Sequence, residues 1–119
     1  MAWDLKNDRP IYLQLMEQLK QMIITGVYPA GSKIPPVREL AAEAAVNPNT
    51  MQKALSELER EGLVFTNRTS GRFITEDKDM IQKMKMELAK EQLTMFLAQM
   101  EKLGFSKEEI KKLLESHSS

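Results

Sequence analysis

The stretch AAVNPNTMQKALSELEREG, residues 44–62, decides the fold. Asn47 is a favoured N-cap, and Pro48 behind it fits the first helical position because its ring already holds the helical φ. Met51, Ala54, Leu55 and Leu58 then fall on one side of a helix. That leaves Asn49, Gln52, Lys53, Ser56 and Arg60 on the other side, and Gly62 ends the run. No acid occurs from Pro48 to Ser56, whereas Glu57, Glu59 and Glu61 crowd the back end. Glutamates near a helix C-terminus oppose the macrodipole, so helix propensity does not account for this arrangement. Keeping carboxylates away from a polyanion does.

Working outward from this helix, Pro35-Pro36 precede a short helical run, Val37 to Ala44, that turns Val37, Leu40 and Ala41 inward, and Ala45-Val46 makes a brief turn. Two helices joined so tightly allow the second to lie across the first and project into a DNA major groove. A packed helical hairpin with no ligand has the same spacing. On the C-terminal side, Leu63-Val64-Phe65-Thr66 and Arg72-Phe73-Ile74-Thr75 are β-rich runs around Asn67-Arg68-Thr69-Ser70-Gly71, which reads as a hairpin with a polar, basic tip. Such a tip either grips phosphates or is a solvated turn. Upstream, Ile11, Leu15, Leu19, Met22 and Ile23 predict an amphipathic helix over residues 10–25, closed by Gly26 and followed by a turn and a short extended piece, Lys33-Ile34. Together, and in this order, the elements define a winged helix-turn-helix over residues 1–75.

Residues 76–119 have a different texture of acid, base and methionine without proline. A long helix is expected from about Asp77 to Leu103, stopped by Gly104. Ser106-Lys107-Glu108-Glu109 then forms a capping box, with Phe105 and Ile110 at staple positions, and opens a last helix. Two helices are too few to enclose a metabolite pocket in one chain, so their apolar residues need a partner. The seam expected with a second copy comprises Met84, Leu88, Leu93, Phe96, Leu97, Met100, Leu103, Phe105, Ile110, Leu113 and Leu114. The methionines of this tail equally suit an adaptable ligand surface.

Composition narrows the function classes. Of 119 residues, 42% are hydrophobic and 29% charged, values of a globular chain with room for one domain and an appendage. There is no cysteine, and the one histidine, His117, lies three residues from the end. Disulfides, thiolate metal sites, a cysteine nucleophile and a placed histidine base are therefore all missing, and no catalytic residue, metal site or cofactor is expected. The acidic residues of MAWDLKNDRP stand where a signal peptide would have an apolar core, and no run is long enough to span a bilayer, so a cytoplasmic protein away from membranes is expected. Lys and Arg number 17 against 17 Asp and Glu, so any basic face must arise from placement rather than excess.

At this level the residues resemble a known family. Gly31-Ser32-Lys33-Ile34-Pro35-Pro36-Val37-Arg38-Glu39-Leu40-Ala41, Val46-Asn47-Pro48-Asn49-Thr50-Met51-Gln52-Lys53-Ala54-Leu55 and Leu58-Glu59-Arg60-Glu61-Gly62-Leu63 are similar to the N-terminal domain of GntR-type bacterial transcription regulators. The short helical tail and the Asn-Pro-Asn-Thr opening are similar to the YtrA branch. The chain departs from the family's usual pattern at Pro36, where serine is common, and at Thr69-Ser70-Gly71, where Gly-x-Gly is common. The resemblance implies that Arg38 and the front of the 48–61 helix contact DNA, that Gly71 lets the wing backbone approach the groove, and that a neighbouring transporter operon is controlled. The candidate DNA-binding set is Lys33, Arg38, Pro48, Asn49, Thr50, Gln52, Lys53, Arg68, Ser70, Gly71 and Arg72. Asn49 and Gln52 suit adenine edges, and Lys53 suits guanine or phosphate. The partners expected are double-stranded DNA, on a palindromic site, and a second copy of the chain, as a repressor. A small-molecule effector is left open, with the 75–84 junction as the place where one would alter wing spacing. The alternative is a winged-helix protein-interaction module.

Overall fold

The computed structural model describes residues 3–117. Its elements are α1 (Ile11–Ile24), α2 (Val37–Ala44), α3 (Pro48–Arg60), β1 (Val64–Asn67), β2 (Gly71–Ile74), α4 (Lys78–Lys102) and α5 (Lys107–His117). The chain is mostly helical with one antiparallel hairpin, a winged helix-turn-helix followed by two helices. Residues divide into two compact units, the first ending at Gln82 and the second beginning at Lys83, so the division falls inside α4.

In the first unit the apolar stripes read from sequence meet in one core. Leu15, Leu19, Met22 and Ile23 of α1 are buried, as are Leu40, Ala41 and Ala44 of α2 and Met51, Ala54, Leu55 and Leu58 of α3. Ile34, Leu63, Val64 and Ile74 close the core from the wing side. Asn47 caps α3 as expected, its Oδ1 accepting from the Asn49 N–H at 2.7 Å. The helix-turn-helix corner is made at Ala45, a non-glycine residue in the left-handed region at φ 56°. Its N–H and that of Val46 donate back to the carbonyls of Ala42 and Ala41, which ends α2 within one residue.

The hairpin slides by one residue against expectation. Leu63 belongs to the end of α3, since its N–H donates to the Leu58 carbonyl at 3.0 Å, so β1 begins at Val64. At the other end Asn67 pairs with Gly71, leaving Arg68, Thr69 and Ser70 as the tip. Asn67 shapes that tip with its side chain, which accepts from the N–H and the hydroxyl of Thr69. The extended piece at Lys33 joins the wing as a third strand fragment. Lys33 pairs antiparallel with Phe73, the Ile34 N–H donates to the Arg72 carbonyl and the Ile74 N–H donates to the Ser32 carbonyl.

One part of the first unit left no trace in the apolar pattern. Gln14, on α1, is buried and reads the backbone of the preceding segment: it accepts from the Lys6 N–H and donates to the carbonyls of Lys6 and Arg9. One turn later Gln18 does the same to Asp4, accepting from its N–H and donating to its carbonyl. Two glutamines four residues apart thereby hold an extended strap against α1, and the buried amide of Gln14 keeps its hydrogen bonds.

In the second unit the capping box forms. The Ser106 N–H donates to Glu109 at 3.0 Å and the Glu109 N–H donates to the Ser106 hydroxyl at 3.2 Å. Ile110 is buried. At about 100° per residue, the apolar positions of α4 do not form one stripe: Met80, Ile81, Met84 and Leu88 share one face, whereas Leu93, Phe96, Leu97, Met100 and Leu103 share another, rotated by roughly 140°. Of the expected seam residues, Met84 and Ile110 are buried within the single chain. Leu88, Leu97, Met100 and Phe105 are half-buried, and Leu93, Phe96, Leu103, Leu113 and Leu114 are exposed.

A candidate nucleic-acid interface

Every polar candidate on α3 is accessible. Asn49, Gln52 and Lys53 are exposed on the side away from the buried Met51, Ala54, Leu55 and Leu58, while Pro48 is exposed at the start of the helix and Thr50 is half-buried at the edge of the buried stripe. Gln52 is not idle, since its amide donates to the Ser56 hydroxyl one turn on, at 3.2 Å. Arg38 stands exposed in the first turn of α2. The wing contributes Arg68 and Ser70 from its exposed tip and Arg72 and Gly71, half-buried, from the start of β2.

The charges sort themselves by partner. Among the described residues no acid lies within ion-pairing distance of Lys33, Arg38, Lys53, Arg68 or Arg72. Three of the five acids of the same segment are engaged. Glu61 pairs with Lys20 of α1 at 3.0 Å, Glu57 lies 3.7 Å from Arg60, and Glu59 accepts from the Thr66 hydroxyl of β1. The Tyr28 phenol is pushed up by burial and then by the charges of Glu43 and Glu39. The cations are thus left free to meet an anion, and the back-end glutamates gain a structural use that their spacing did not reveal.

Lys33, Arg68, Gly71 and Arg72 come together at the root of the wing, where they line one cleft. Lys33 lies across Gly71, whose φ is +110°: a Cβ placed there would stand 3.0 Å from the Lys33 Cε. Lys53 lies apart from this group. Its ammonium sits 3.9 Å above the centre of the Tyr12 ring of α1, a cation–π contact. Sequence reading missed Tyr12, which is one position off the buried stripe of α1 and carries no motif. Among the described residues there is no group of acidic, histidine or cysteine side chains suited to a metal ion, and no helix is long and apolar enough to cross a membrane.

A short helix pair, an accessible polar face on the second helix and a hairpin bearing unpaired arginines define a winged helix-turn-helix DNA-binding protein. The family model described as bacterial regulatory proteins, gntR family, matches residues 11–74. The chain belongs to the GntR family, and within it is YtrA-like.

Among its relatives, the uncharacterized HTH-type transcriptional regulator YhcF of Bacillus subtilis is 41% identical over 88% of this chain and 87% of its own length. The HTH-type transcriptional repressor YtrA of the same organism is 44% identical over 76% of this chain and 70% of its own length. Among solved structures, a GntR family transcriptional regulator from Listeria monocytogenes superimposes with a TM-score of 0.87 at 38% identity, covering 94% of this chain and 98% of that one. The DNA-binding domain of AraR, solved in complex with operator ORX1, is similar at a TM-score of 0.55 and 28% identity over 63% of this chain and 92% of that one. The chain is therefore a transcription regulator with a DNA-binding helix-turn-helix, and the relatives form a non-enzymatic class.

Proposed function

We propose that the chain is a cytoplasmic, homodimeric repressor that reads a palindromic operator with α3 and steadies itself on the flanking backbone with Arg38 and the wing. The observation that carries this reading is the acid-free front of α3 beside unpaired cations. From Pro48 to Ser56 nothing repels phosphate, and Asn49, Gln52 and Lys53 offer the donors and acceptors that base edges require. YtrA of Bacillus subtilis is called a repressor, and the AraR domain was solved on its operator, which supports a repressor acting at DNA. In this reading residues 1–75 are the reading domain and residues 76–119 the dimerisation region. Leu93, Leu103 and Leu114 support the second assignment, being 54%, 72% and 51% exposed in the single chain, too apolar a set to leave in water. A C2 pair would present two copies of α3 to half-sites about one helical turn apart. Control of a neighbouring transporter operon is part of the same proposal and rests on the resemblance to the YtrA branch alone.

The test is selection of bound duplexes from a random library with the full chain, followed by titration of the enriched duplex and sedimentation of the free protein. Expected are a palindromic sequence, binding weaker by ~1,000-fold or more for a random duplex, and a dimer at micromolar protein. Absence of enrichment in a well-folded dimer would move α3 to a protein partner. A monomer would remove the palindrome.

A further inference from the structure

On the outward face of α3 the Gln52 amide donates to the Ser56 hydroxyl at 3.2 Å, one turn further along the helix. Both side chains are exposed, and among the described residues this is the only hydrogen bond of the Gln52 carboxamide. We propose that Ser56 is a specificity-determining residue: by engaging one N–H of Gln52, it leaves a donor–acceptor edge that selects adenine and rejects guanine. This deepens the DNA reading of α3 and rests on it.

The helix itself leaves only the side chain to be settled. Met51, Ala54, Leu55 and Leu58 are fully buried, so the backbone of α3 is fixed against the core and positions 52 and 56 with it. Four residues apart, these two lie one above the other on one face. The long stem of Gln52 turns over among rotamers unless something holds its end. Ser56 supplies that hold from the C-terminal side. A serine inside a helix commonly turns back to the carbonyl four residues earlier, whereas here its oxygen accepts from the side chain of that residue. Glu57, the first acid of the helix, is half-buried and lies 3.7 Å from Arg60, so a neutral hydroxyl and not a carboxylate is what Gln52 meets.

The bond changes what Gln52 can offer a base. A free carboxamide has two N–H donors and one oxygen acceptor. In the major groove adenine presents N7 as acceptor and N6 as donor, whereas guanine presents two acceptors, N7 and O6. A glutamine with both N–H groups free can turn its nitrogen towards guanine. With one N–H held by Ser56, one N–H and the oxygen remain, and that pair matches adenine. Against guanine the same edge sets the amide oxygen beside O6, two acceptors with no proton between them. Holding the side chain also removes an ordering cost on binding, which for one rotamer-rich side chain corresponds to about 2- to 12-fold in affinity.

The test uses the full chain and the duplex enriched from the random library. Single base-pair changes through that duplex are competed by fluorescence anisotropy with the parent, Gln52→Ala, Ser56→Ala, Ser56→Thr and the Gln52→Ala, Ser56→Ala double variant. The position that loses its preference in Gln52→Ala is the one Gln52 reads. Expected there is a preference for adenine over guanine of about 5- to 150-fold in the parent. It should narrow several-fold in Ser56→Ala and persist in Ser56→Thr, which keeps the hydroxyl. In the Gln52→Ala background, Ser56→Ala should leave every ratio unchanged. On the free protein, the Gln52 side-chain amide resonances should move in Ser56→Ala and stay near the parent's in Ser56→Thr. Ser56 is exposed and alanine is the better helix former, so Ser56→Ala should melt no lower than the parent.

Three results overturn the proposal and leave the DNA reading standing. An unchanged adenine preference in Ser56→Ala removes the filter. A uniform loss on every duplex that persists in the Gln52→Ala background makes Ser56 a backbone contact in its own right. A base other than adenine under Gln52 means that the edge presented is a different one. Failure of the library to enrich any duplex is distinct from these, since it removes the DNA reading and this proposal with it, even where the amide resonances respond to Ser56→Ala.

Discussion

Removing the Tyr12 ring is the most informative single perturbation of the reading helix. Tyr12 comes from α1 and touches no base in any reading of the site, yet the Lys53 ammonium stands 3.9 Å over its centroid. The ring therefore restricts where the lysine stem points before DNA arrives. Lys53 is exposed, so the contact sits at the weak end of the cation–π range, about 0.5–1 kcal/mol. Expressed as affinity, that is roughly a 2- to 5-fold loss for Tyr12→Leu, because the freed lysine must be ordered again on binding. Tyr12→Phe keeps the π face and should bind as the parent does. The assay is fluorescence anisotropy with the selected duplex, run as a double-mutant cycle with Lys53→Ala. In the Lys53→Ala background Tyr12→Leu should have no further effect, and both variants should melt within a few degrees of the parent. Tighter binding by Tyr12→Leu would refute the reasoning, since it would mean that the ring sequesters Lys53 and must release it to DNA. An undiminished loss in the Lys53→Ala background would refute it differently, by making Tyr12 a packing residue alone.

Three further outcomes follow from the backbone and the caps. Ala45→Gly should stabilise the protein by about 1 kcal/mol, because an L side chain at φ 56° strains the left-handed corner between α2 and α3 and the position is exposed; a lower midpoint in urea would contradict this. Gly71→Ala should cost about 1–3 kcal/mol through its φ of +110° and should also displace Lys33, whose Cε would meet the new Cβ at 3.0 Å. Thermal melting measures the first effect, and movement of the Lys33 side-chain resonances the second. The Glu109 carboxyl is held below the usual glutamate range, first by the Ser106 N–H and then by the Ser106 side chain. A depressed carboxylate stabilises the fold above its unfolded pKa, about 4.3, and loses that contribution as pH falls through the folded value. The melting gap between the parent and Glu109→Ala should hold steady above about pH 5 and close as pH drops below 4; a gap that widens with acid would reverse the sign.

Local codes were legible and long-range ones were not. Val37 to Ala44 was read with its observed bounds and α3 to within a residue, because a proline, a cap residue and a short apolar stripe act on their own neighbours. The wing moved by one residue because the Leu63 N–H is claimed by Leu58, a contact decided by how α3 ends rather than by strand propensity. The glutamines of α1 show the limit more clearly. Nothing in Gln14 announces a buried side chain, since its burial depends on an extended segment eight residues upstream whose backbone it satisfies. Tyr12 beneath Lys53 and the cleft at the wing root are likewise products of packing between distant segments. The candidate site was therefore legible as a set of residue types, whereas its internal grouping into a reading lysine on a ring and a separate basic cleft was not.

That grouping also resolves the neutrality of the chain, 17 bases against 17 acids. Between Lys33 and Arg72 there are six bases and five acids, hardly a basic patch by count. By partner the balance is different: Arg60 pairs with Glu57, Glu61 is taken by Lys20, and Glu59 accepts from the Thr66 hydroxyl. Lys33, Arg38, Lys53, Arg68 and Arg72 carry no ion pair among the described residues. If each of these cations meets one phosphate, counterion release gives a slope of log K on log salt of about −4.5 for one chain and about −9 for a pair. Between 50 and 200 mM salt those slopes correspond to losses of roughly 500-fold and roughly 3 × 10⁵-fold. If Lys53 reads a base instead, the pair's slope falls to about −7, still well separated from that of a single chain. The salt dependence of a neutral protein is thus set by how many of its cations lack partners, and its measured slope counts both those cations and the chains that deliver them.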